Sequence, residues 1–169
     1  FRAMSIEIRP YHHQDLHAIV QVMNHYIEHD AGLYTEVLLT EELASHWILE
    51  RHRESVPFLV AQDGPALLGL AYARPFRSQT GSAHVWESSV YLDVTAAASR
   101  SGIGTLLMQQ LLGNLKRSGV TEVMAMIDSG NKVSSAFHEK LGFVQLCKIP
   151  RAGRKLGHFR DALLFQRSQ

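Results

Sequence analysis

The sequence has one cysteine, no long apolar run and almost no charge imbalance. Cys147 is the only cysteine among 169 residues, which rules out a disulfide within the chain and favours a reducing, cytoplasmic setting. No stretch approaches the roughly 20 apolar residues of a membrane span. The 17 basic and 16 acidic residues give a formal charge of +1 and are dispersed, unlike a nucleic-acid groove or polybasic membrane anchor. We therefore expect small-molecule partners.

The apolar content is sufficient for one hydrophobic core. With 46% hydrophobic residues, a chain of this length predicts a single domain over residues 4–169. Residues 1–3 precede Met4 and are expected to be a remnant of recombinant expression.

The spacing of apolar residues changes period repeatedly along the chain, as in a mixed α and β protein. Strands are predicted at SIEIRPY, PFLVAQD, ALLGLAYARPF, AHVWESSVYLDV, TEVMAMID, FVQLCKI and HFRDALLFQ. Helices are predicted at DLHAIVQVMNHYIEHD, at TEELASHWILERHR, after the glycines at 102 and 104, and over residues 131–141, where Gly142 closes the last helix. The second, third and fourth strands are expected to be consecutive antiparallel neighbours.

The segment from Ser99 to Gly119 combines a glycine turn with an amphipathic helix. Gly102 and Gly104 precede an apolar stripe at four-residue spacing, formed by Ile103, Leu107, Leu111 and Leu115. Backbone N–H groups at such a helix start can bind phosphate oxygens. No lysine follows Gly104 as in a P-loop, and Leu107 replaces the third glycine of a dinucleotide fingerprint. The pattern alone fits either an anion site or a glycine-rich entry to a core helix.

Three segments of the chain carry a family resemblance. In chain order, VWESSVYLDV, RSGIGTLLMQQLL and VMAMIDSGNKVSSAFHEKLGF resemble the GNAT superfamily of acetyl-CoA-dependent N-acetyltransferases. Within it, NHYIEHDAGLYTE, WESSVYL, IDSGNKVSSAFHEKLGF and AGRKLGHFRDALLFQ resemble the phosphinothricin and methionine sulfoximine acetyltransferase group. The resemblance implies an α+β fold with a mixed, mostly antiparallel sheet of about six to seven strands flanked by about four helices. It also implies a homodimer that acetylates the α-amine of a small amino acid analogue.

The same resemblance implies where acetyl-CoA binds. The backbone of Val90, Tyr91 and Leu92 is expected to pair with the pantetheine arm like an added strand. The pyrophosphate is expected at the N–H groups of Arg100, Ser101, Gly102, Ile103, Gly104 and Thr105. Asn131 and Ser134 are expected to contact the cofactor from the following helix. The chain departs from the family at Ser99, where Gln or Arg is usual, and DVTAAAS is about two residues longer than the usual connection.

Glu87 and His138 are the candidates for proton transfer. Glu87 shares one strand face with Val85, Ser89 and Tyr91. A carboxylate in a central strand needs a cavity or an arginine partner there. Asn131, Ser134 and His138 form a polar stripe beside a predicted core stripe of Val133, Phe137 and Leu141. From spacing alone, Asn131 fits a helix cap and His138 a surface histidine. The resemblance implies that Glu87 is the base, directly or through water, and that His138 protonates the departing thiolate.

Acceptor contacts are expected at the end of the third strand and before the second helix. Arg74 and Arg77 can each form a forked pair with an acidic group, and Tyr34 and Phe76 are expected to line the pocket by resemblance. The histidines lack metal-ligand spacing with cysteine or carboxylates, so no metal is expected, and Cys147 is expected in the core. Two other functions stay open: acetylation of protein or peptide amines, and a non-catalytic regulatory module that binds acetyl-CoA.

Overall fold

The computed structural model describes residues 5–94 and 102–169. In these residues there are four α-helices: α1 (Leu16–His29), α2 (Glu41–Arg51), α3 (Ile103–Arg117) and α4 (Lys132–Lys140). Seven strands complete the structure: β1 (Ile6–Pro10), β2 (Leu59–Asp63), β3 (Ala66–Pro75), β4 (Val85–Leu92), β5 (Glu122–Asp128), β6 (Val144–Lys155) and β7 (His158–Ser168).

The strands form a sheet of order β1-β2-β3-β4-β5-β7-β6. The pairs β1–β2, β2–β3, β5–β7 and β6–β7 are antiparallel, whereas β4 and β5 are parallel. The strands β4 and β5 are parallel because the connection that contains α3 returns the chain to the end of the sheet at which β4 begins. The predicted mixed, mostly antiparallel α+β fold is confirmed.

The chain divides into two compact units. Unit 1 comprises Phe1–Met23, Leu39–Arg74 and Ser89–Gly119, and unit 2 comprises Asn24–Leu38, Pro75–Ser88 and Val120–Gln169. The core of unit 1 includes Ile19, Ile48, Phe58, Leu70 and the predicted α3 stripe of Ile103, Leu107, Leu111 and Leu115, all fully buried. The core of unit 2 includes Ile27, Val123, Ile127, Phe143 and Phe165. A single domain over residues 4–169 stays a prediction.

Two side chains expected in the core are exposed. Val133 is 83% exposed, and the buried side chain of α4 is His138. Of the predicted stripe, Phe137 and Leu141 are half-buried, so the inward face of the helix includes these two residues and His138 but leaves out Val133. Cys147 is also exposed; it lies in β6, the last strand of the sheet order.

Across the described ranges, the structure contains no helix with the length and apolar character needed to cross a lipid bilayer.

Candidate functional site

The first turn of α3, in unit 1, is where the sequence predicts an anion site. Gly102 is the N-cap residue with φ of +70°, a left-handed conformation that favours glycine, and the cap makes no side-chain hydrogen bond. The carbonyl of Gly102 accepts from Leu106 N at 3.1 Å. No acidic side chain lies in this turn, so the positive end of the helix dipole is not neutralised there. The expected contacts at Arg100 and Ser101, and the departure from the family at Ser99, lie outside the described residues.

The second half of β4, also in unit 1, is fixed by a close approach to β3. A Cβ atom on Gly69 would lie 2.8 Å from Leu92 Cδ2 and 2.9 Å from the carbonyl oxygen of Tyr91. Asp93 N donates to the carbonyl of Leu68 at 2.9 Å just after the strand. Gly69 thus allows the backbone of β4 to lie close to β3. This contact fixes the segment of β4 that is predicted to pair with the pantetheine arm.

Glu87 lies half-buried in the part of β4 that belongs to unit 2. Its register partner in the parallel strand β5 is Met124. The neighbouring Ser88 is buried, and its hydroxyl donates to the carbonyl of Met124 at 3.4 Å. Because successive side chains of a strand point to opposite faces, Glu87 projects from the face opposite Ser88.

The helix α4, in unit 2, brings Asn131, Ser134 and His138 into one hydrogen-bonded series. Asn131 Oδ1 accepts from Ser134 N at 3.0 Å and so caps the helix. His138 Nδ1 lies 2.8 Å from the carbonyl oxygen of Ser134 and 3.4 Å from its hydroxyl. Since a carbonyl oxygen can only accept, Nδ1 carries the proton in this contact. The remaining ring nitrogen, Nε2, is then a basic atom.

His138 is a buried histidine, 4% exposed, beside the rings of Phe137 and Phe143 at 5.2 and 5.1 Å between centroids. Burial lowers the pKa of its imidazole, and the hydrogen bond to Ser134 opposes that effect only in part. The neutral ring is therefore favoured at neutral pH. The reading of His138 as a solvated surface residue is wrong.

Asp128, at the end of β5, is the centre of a network that the sequence analysis missed. Arg160 Nε and Nη2 donate to its two carboxylate oxygens at 3.0 and 2.6 Å, and Gly130 N donates at 2.9 Å. The hydroxyl of Tyr34 lies 3.0 Å from Asp128 Oδ1 and 3.2 Å from the carbonyl oxygen of Asp161. Burial alone would raise the pKa of Asp128, but these hydrogen bonds together outweigh it and lower that pKa.

Tyr34 lies in the α1–α2 loop, defined here as residues 30–38, and this loop is fastened to the strands β6 and β7. The ring of Tyr34 lies over Gly153, and a Cβ atom on Gly153 would lie only 2.2 Å from Tyr34 Cδ2. Lys155 Nζ donates to the carbonyls of Leu33 at 2.7 Å and Thr35 at 2.5 Å. Burial and the charge of Asp128 raise the pKa of the Tyr34 hydroxyl. The Tyr34 hydroxyl is therefore protonated at neutral pH, and hydrogen bonds and the contact with Gly153 fix the position of the ring.

The remaining acceptor candidates lie at the end of β3 and after it. Arg74 and Arg77 are exposed, and Phe76 is half-buried with its backbone N–H donating to the carbonyl of Val85 at 2.9 Å. Unit 1 holds Arg74, Val90, Tyr91, Leu92, Gly102, Ile103, Gly104 and Thr105, and unit 2 holds Tyr34, Phe76, Arg77, Glu87, Asn131, Ser134 and His138. Direct hydrogen bonds join the three α4 candidates.

Sequence signals for Asp128 and Lys155 existed but were indirect. Asp128 ends a strand three residues before a capping asparagine, and Lys155 falls within AGRKLGHFRDALLFQ, one of the four family-like stretches. Neither position reveals burial, since lysine and aspartate are usually exposed.

Comparison with known proteins gives a family for the chain. The model described as "Acetyltransferase (GNAT) family" matches residues 19–143. The phosphinothricin N-acetyltransferase of Streptomyces viridochromogenes is 34% identical over 165 residues, covering 96% of this chain and 87% of that protein. The L-methionine sulfoximine/L-methionine sulfone acetyltransferase of Salmonella typhimurium is 29% identical and covers 90% of this chain and 88% of its own.

Solved structures agree with this fold. The ribosomal-protein-alanine N-acetyltransferase of Brucella melitensis has a TM-score of 0.91 at 31% identity, with coverage of 96% of this chain and 99% of that one. A GNAT superfamily phosphinothricin acetyltransferase from Sinorhizobium meliloti, solved in complex with acetyl-CoA, has a TM-score of 0.87 at 28% identity. The match covers 98% of this chain and 89% of the S. meliloti chain.

Proposed function

The chain belongs to the GNAT family of acetyltransferases and is an acetyl-CoA-dependent N-acetyltransferase; we propose that its acceptor is the α-amine of a small amino acid analogue such as phosphinothricin or methionine sulfoximine. The observation that carries this substrate class is the 34% identity to a phosphinothricin N-acetyltransferase across 96% of the chain. A homodimer stays a prediction from the resemblance, and a cytoplasmic location stays a prediction from the single cysteine.

Acetyl-CoA is proposed to bind along β4 and at the start of α3. Val90, Tyr91 and Leu92 would pair with pantetheine, and the turn of residues 100–105 would hold the pyrophosphate. This assignment is supported by the left-handed Gly102 cap and by the lack of an acidic side chain in the first turn of α3. Asn131 uses Oδ1 to cap α4, so its Nδ2 is the group that would donate to the cofactor, with Ser134 beside it.

Glu87 is proposed to take a proton from the acceptor ammonium, directly or through water, so that the amine nitrogen can attack the thioester carbonyl. The carbon–nitrogen bond forms, the newly bonded nitrogen loses its second proton to water, the carbon–sulfur bond breaks, and the coenzyme A thiolate leaves with the bonding electron pair. His138 is proposed to supply a proton to that thiolate. Because burial favours neutral His138, its Nε2 must first gain a proton, and protonation of the thiolate by water competes. We therefore assign the larger rate effect to Glu87.

The acceptor is proposed to bind through its acidic end and its side chain. Exposed Arg77 and Arg74 would pair with the acidic group, since a guanidinium binds carboxylate or phosphinate in a forked geometry. Phe76 and Tyr34 would line the pocket. The hydroxyl of Tyr34 is engaged by Asp128 and the carbonyl of Asp161, so Tyr34 would offer its ring to the acceptor.

A protein or peptide amine is the second candidate acceptor. The favouring observation is the TM-score of 0.91 to a protein described as a ribosomal-protein-alanine N-acetyltransferase. The relatives named as N-acetyltransferases favour an enzyme over the non-catalytic module that the sequence alone left open.

The deciding experiment is thiol release from acetyl-CoA across free amino acids, phosphinothricin, methionine sulfoximine, polyamines, aminoglycosides and peptides. We expect turnover with the amino acid analogues and a loss of about 10² to 10⁴ in kcat/KM for Glu87→Gln, the usual cost of removing a positioned proton-transfer group. The matched control is Glu139→Gln, an exposed glutamate of α4, which should keep wild-type activity. Turnover with peptides alone would refute the small-substrate proposal, and full activity of Glu87→Gln would refute the assigned base.

A further inference from the structure

The α1–α2 loop is held by a buried lysine that donates to the loop on both sides of Tyr34. We infer that Lys155 is a positioning residue for acceptor binding: it fixes the loop backbone around Tyr34 and so sets where the Tyr34 ring lies. The inference rests on the proposed function in one respect, the assignment of Tyr34 to the acceptor pocket.

The contacts of Lys155 are unusually specific for a lysine. The residue is 1% exposed, although lysine is rarely buried without an acidic partner in contact. Its Nζ donates to the carbonyls of Leu33 and Thr35, the residues immediately before and after Tyr34. Burial lowers the pKa of the ammonium, and the charges of Glu36 and Asp30 oppose that effect. An apolar side chain could fill this space, but it could not bind two carbonyl oxygens.

Neighbouring residues of the strand β6 and the turn after it complete the attachment. Gly153 and Lys155 are two residues apart in β6 and therefore face the same side. Gly153 leaves room for the Tyr34 ring, and Leu156 N donates to Glu36 Oε1 at 2.6 Å. On the loop side, Gly32 lies so close that a Cβ atom would be 3.1 Å from Asp128 Cβ.

Hydrogen bonds of Lys155, Tyr34 and Glu36, together with the Tyr34 ring over Gly153, hold the loop in place of a hydrophobic core. Residues 30–38 contain no helix or strand, and Val37 and Leu38 are exposed at 70% and 46%. A segment with so few buried apolar side chains opens easily unless hydrogen bonds retain it. The two bonds from Lys155 therefore control the loop more than they control the cores of the two units. Loss of those bonds should affect acceptor binding before it affects acetyl-CoA binding.

The test compares Lys155→Met with Lys148→Met in the full-length protein. Methionine keeps most of the side-chain volume of lysine but cannot donate a hydrogen bond. Lys148 is the matched control, because it lies in the same strand, is 55% exposed and pairs with Asp161 at the surface. Three quantities are measured for each variant: amide hydrogen exchange of residues 30–38, the KM and kcat/KM for the best acceptor of the panel, and the KM for acetyl-CoA.

We expect faster exchange in residues 30–38 and an acceptor kcat/KM lowered by about 10- to 100-fold for Lys155→Met, the scale of a misplacement of about 1 Å. The KM for acetyl-CoA should stay within about twofold, a range that leaves binding free energy nearly unchanged. Lys148→Met should match the wild type in all three quantities. If Lys155→Met fails to fold, Lys155→Gln, whose side-chain amide keeps a donor but reaches less far than lysine, provides the same comparison with a smaller expected effect.

Faster loop exchange with an unchanged acceptor KM would overturn the inference, as would an equal loss of acceptor and acetyl-CoA binding. Failure of the proposed substrate class gives a different result. If only peptides are acetylated, the variants are compared with a peptide acceptor, and Lys155 is judged by the same split between the two KM values.

Discussion

Replacement of Asp128 by asparagine should destabilise the protein strongly at neutral pH. The carboxylate is 3% exposed in its side chain and accepts two bonds from Arg160, at 3.0 and 2.6 Å, and one from Gly130 N at 2.9 Å. In Asp128→Asn one oxygen becomes an NH₂ group, so a donor faces a donor and the Arg160 charge loses its partner. Breaking a buried pair costs about 3 to 5 kcal/mol. Arg160 is 30% exposed, so we expect about 2 to 4 kcal/mol here.

The sign of the pH dependence follows from the lowered pKa of Asp128 in the folded protein. The stabilisation is complete above the unfolded-state pKa of about 3.9, and it is lost as pH falls through the folded-state pKa. The difference between the wild type and Asp128→Asn should therefore be constant from neutral pH down to about pH 4 and shrink below that.

The assay is thermal unfolding followed by circular dichroism from pH 7 to pH 3. In a chain of this size, about 1 kcal/mol shifts Tm by roughly 2 to 4 °C, so Asp128→Asn should lower Tm by about 4 to 16 °C at pH 7. Asp161→Asn is the control, because Asp161 is more exposed and its ion pair with Lys148 lies at the surface. A Tm drop no larger than that of the control, or one that persists unchanged at pH 3, would refute the reasoning.

Two further predictions concern the cofactor turn and the buried histidine. Acetyl-CoA should raise the Tm of the wild type, and Gly104→Val should remove most of that shift by blocking approach to the first turn of α3, which differential scanning fluorimetry measures. An unchanged shift would contradict the phosphate assignment. Because the pKa of His138 is lowered on folding, stability should fall as pH drops below about 6.5, where the unfolded chain gains the proton first. His138→Asn, which keeps a donor toward the carbonyl of Ser134, should flatten that decline in urea titrations at pH 7 and pH 5; an identical decline would assign it to other groups.

Local signals predicted the elements whose determinants are close in sequence. The stripe of Ile103, Leu107, Leu111 and Leu115 is fully buried, as its four-residue spacing indicates. Thr40 caps α2 by accepting from Leu43 N at 3.2 Å, and Gly142 follows α4 with φ of +85°. In these cases the residues that determine the helix face or the helix end are all within a few positions of one another.

Features that depend on distant pairing were not predictable in the same way. The strand β6 was expected to end near Ile149, but it continues to Lys155 because residues 153–155 pair with residues 158–160 of β7. The burial of Lys155 arises from Leu33 and Thr35, about 120 residues earlier in the chain. Cys147 lies in an apolar run, yet its side chain is exposed. An apolar run predicts a strand, but it does not show whether another element of the fold covers that strand.

Asp128 links a stabilising ion pair to the α4 residues that we propose for cofactor binding and proton transfer. Its carbonyl accepts from Asn131 N at 2.9 Å and its carboxylate accepts from Gly130 N, so Asp128 fixes the residues that start α4. The start of α4 in turn positions Asn131 and, through the carbonyl of Ser134, His138. A change at Asp128 should therefore alter cofactor and acceptor kinetics together, even at temperatures where the variant is fully folded. Lys155 contacts the α1–α2 loop and not this turn, so its replacement should change acceptor kinetics alone. The KM for the acceptor and the KM for acetyl-CoA of each variant therefore distinguish a change at the start of α4 from a change in the loop.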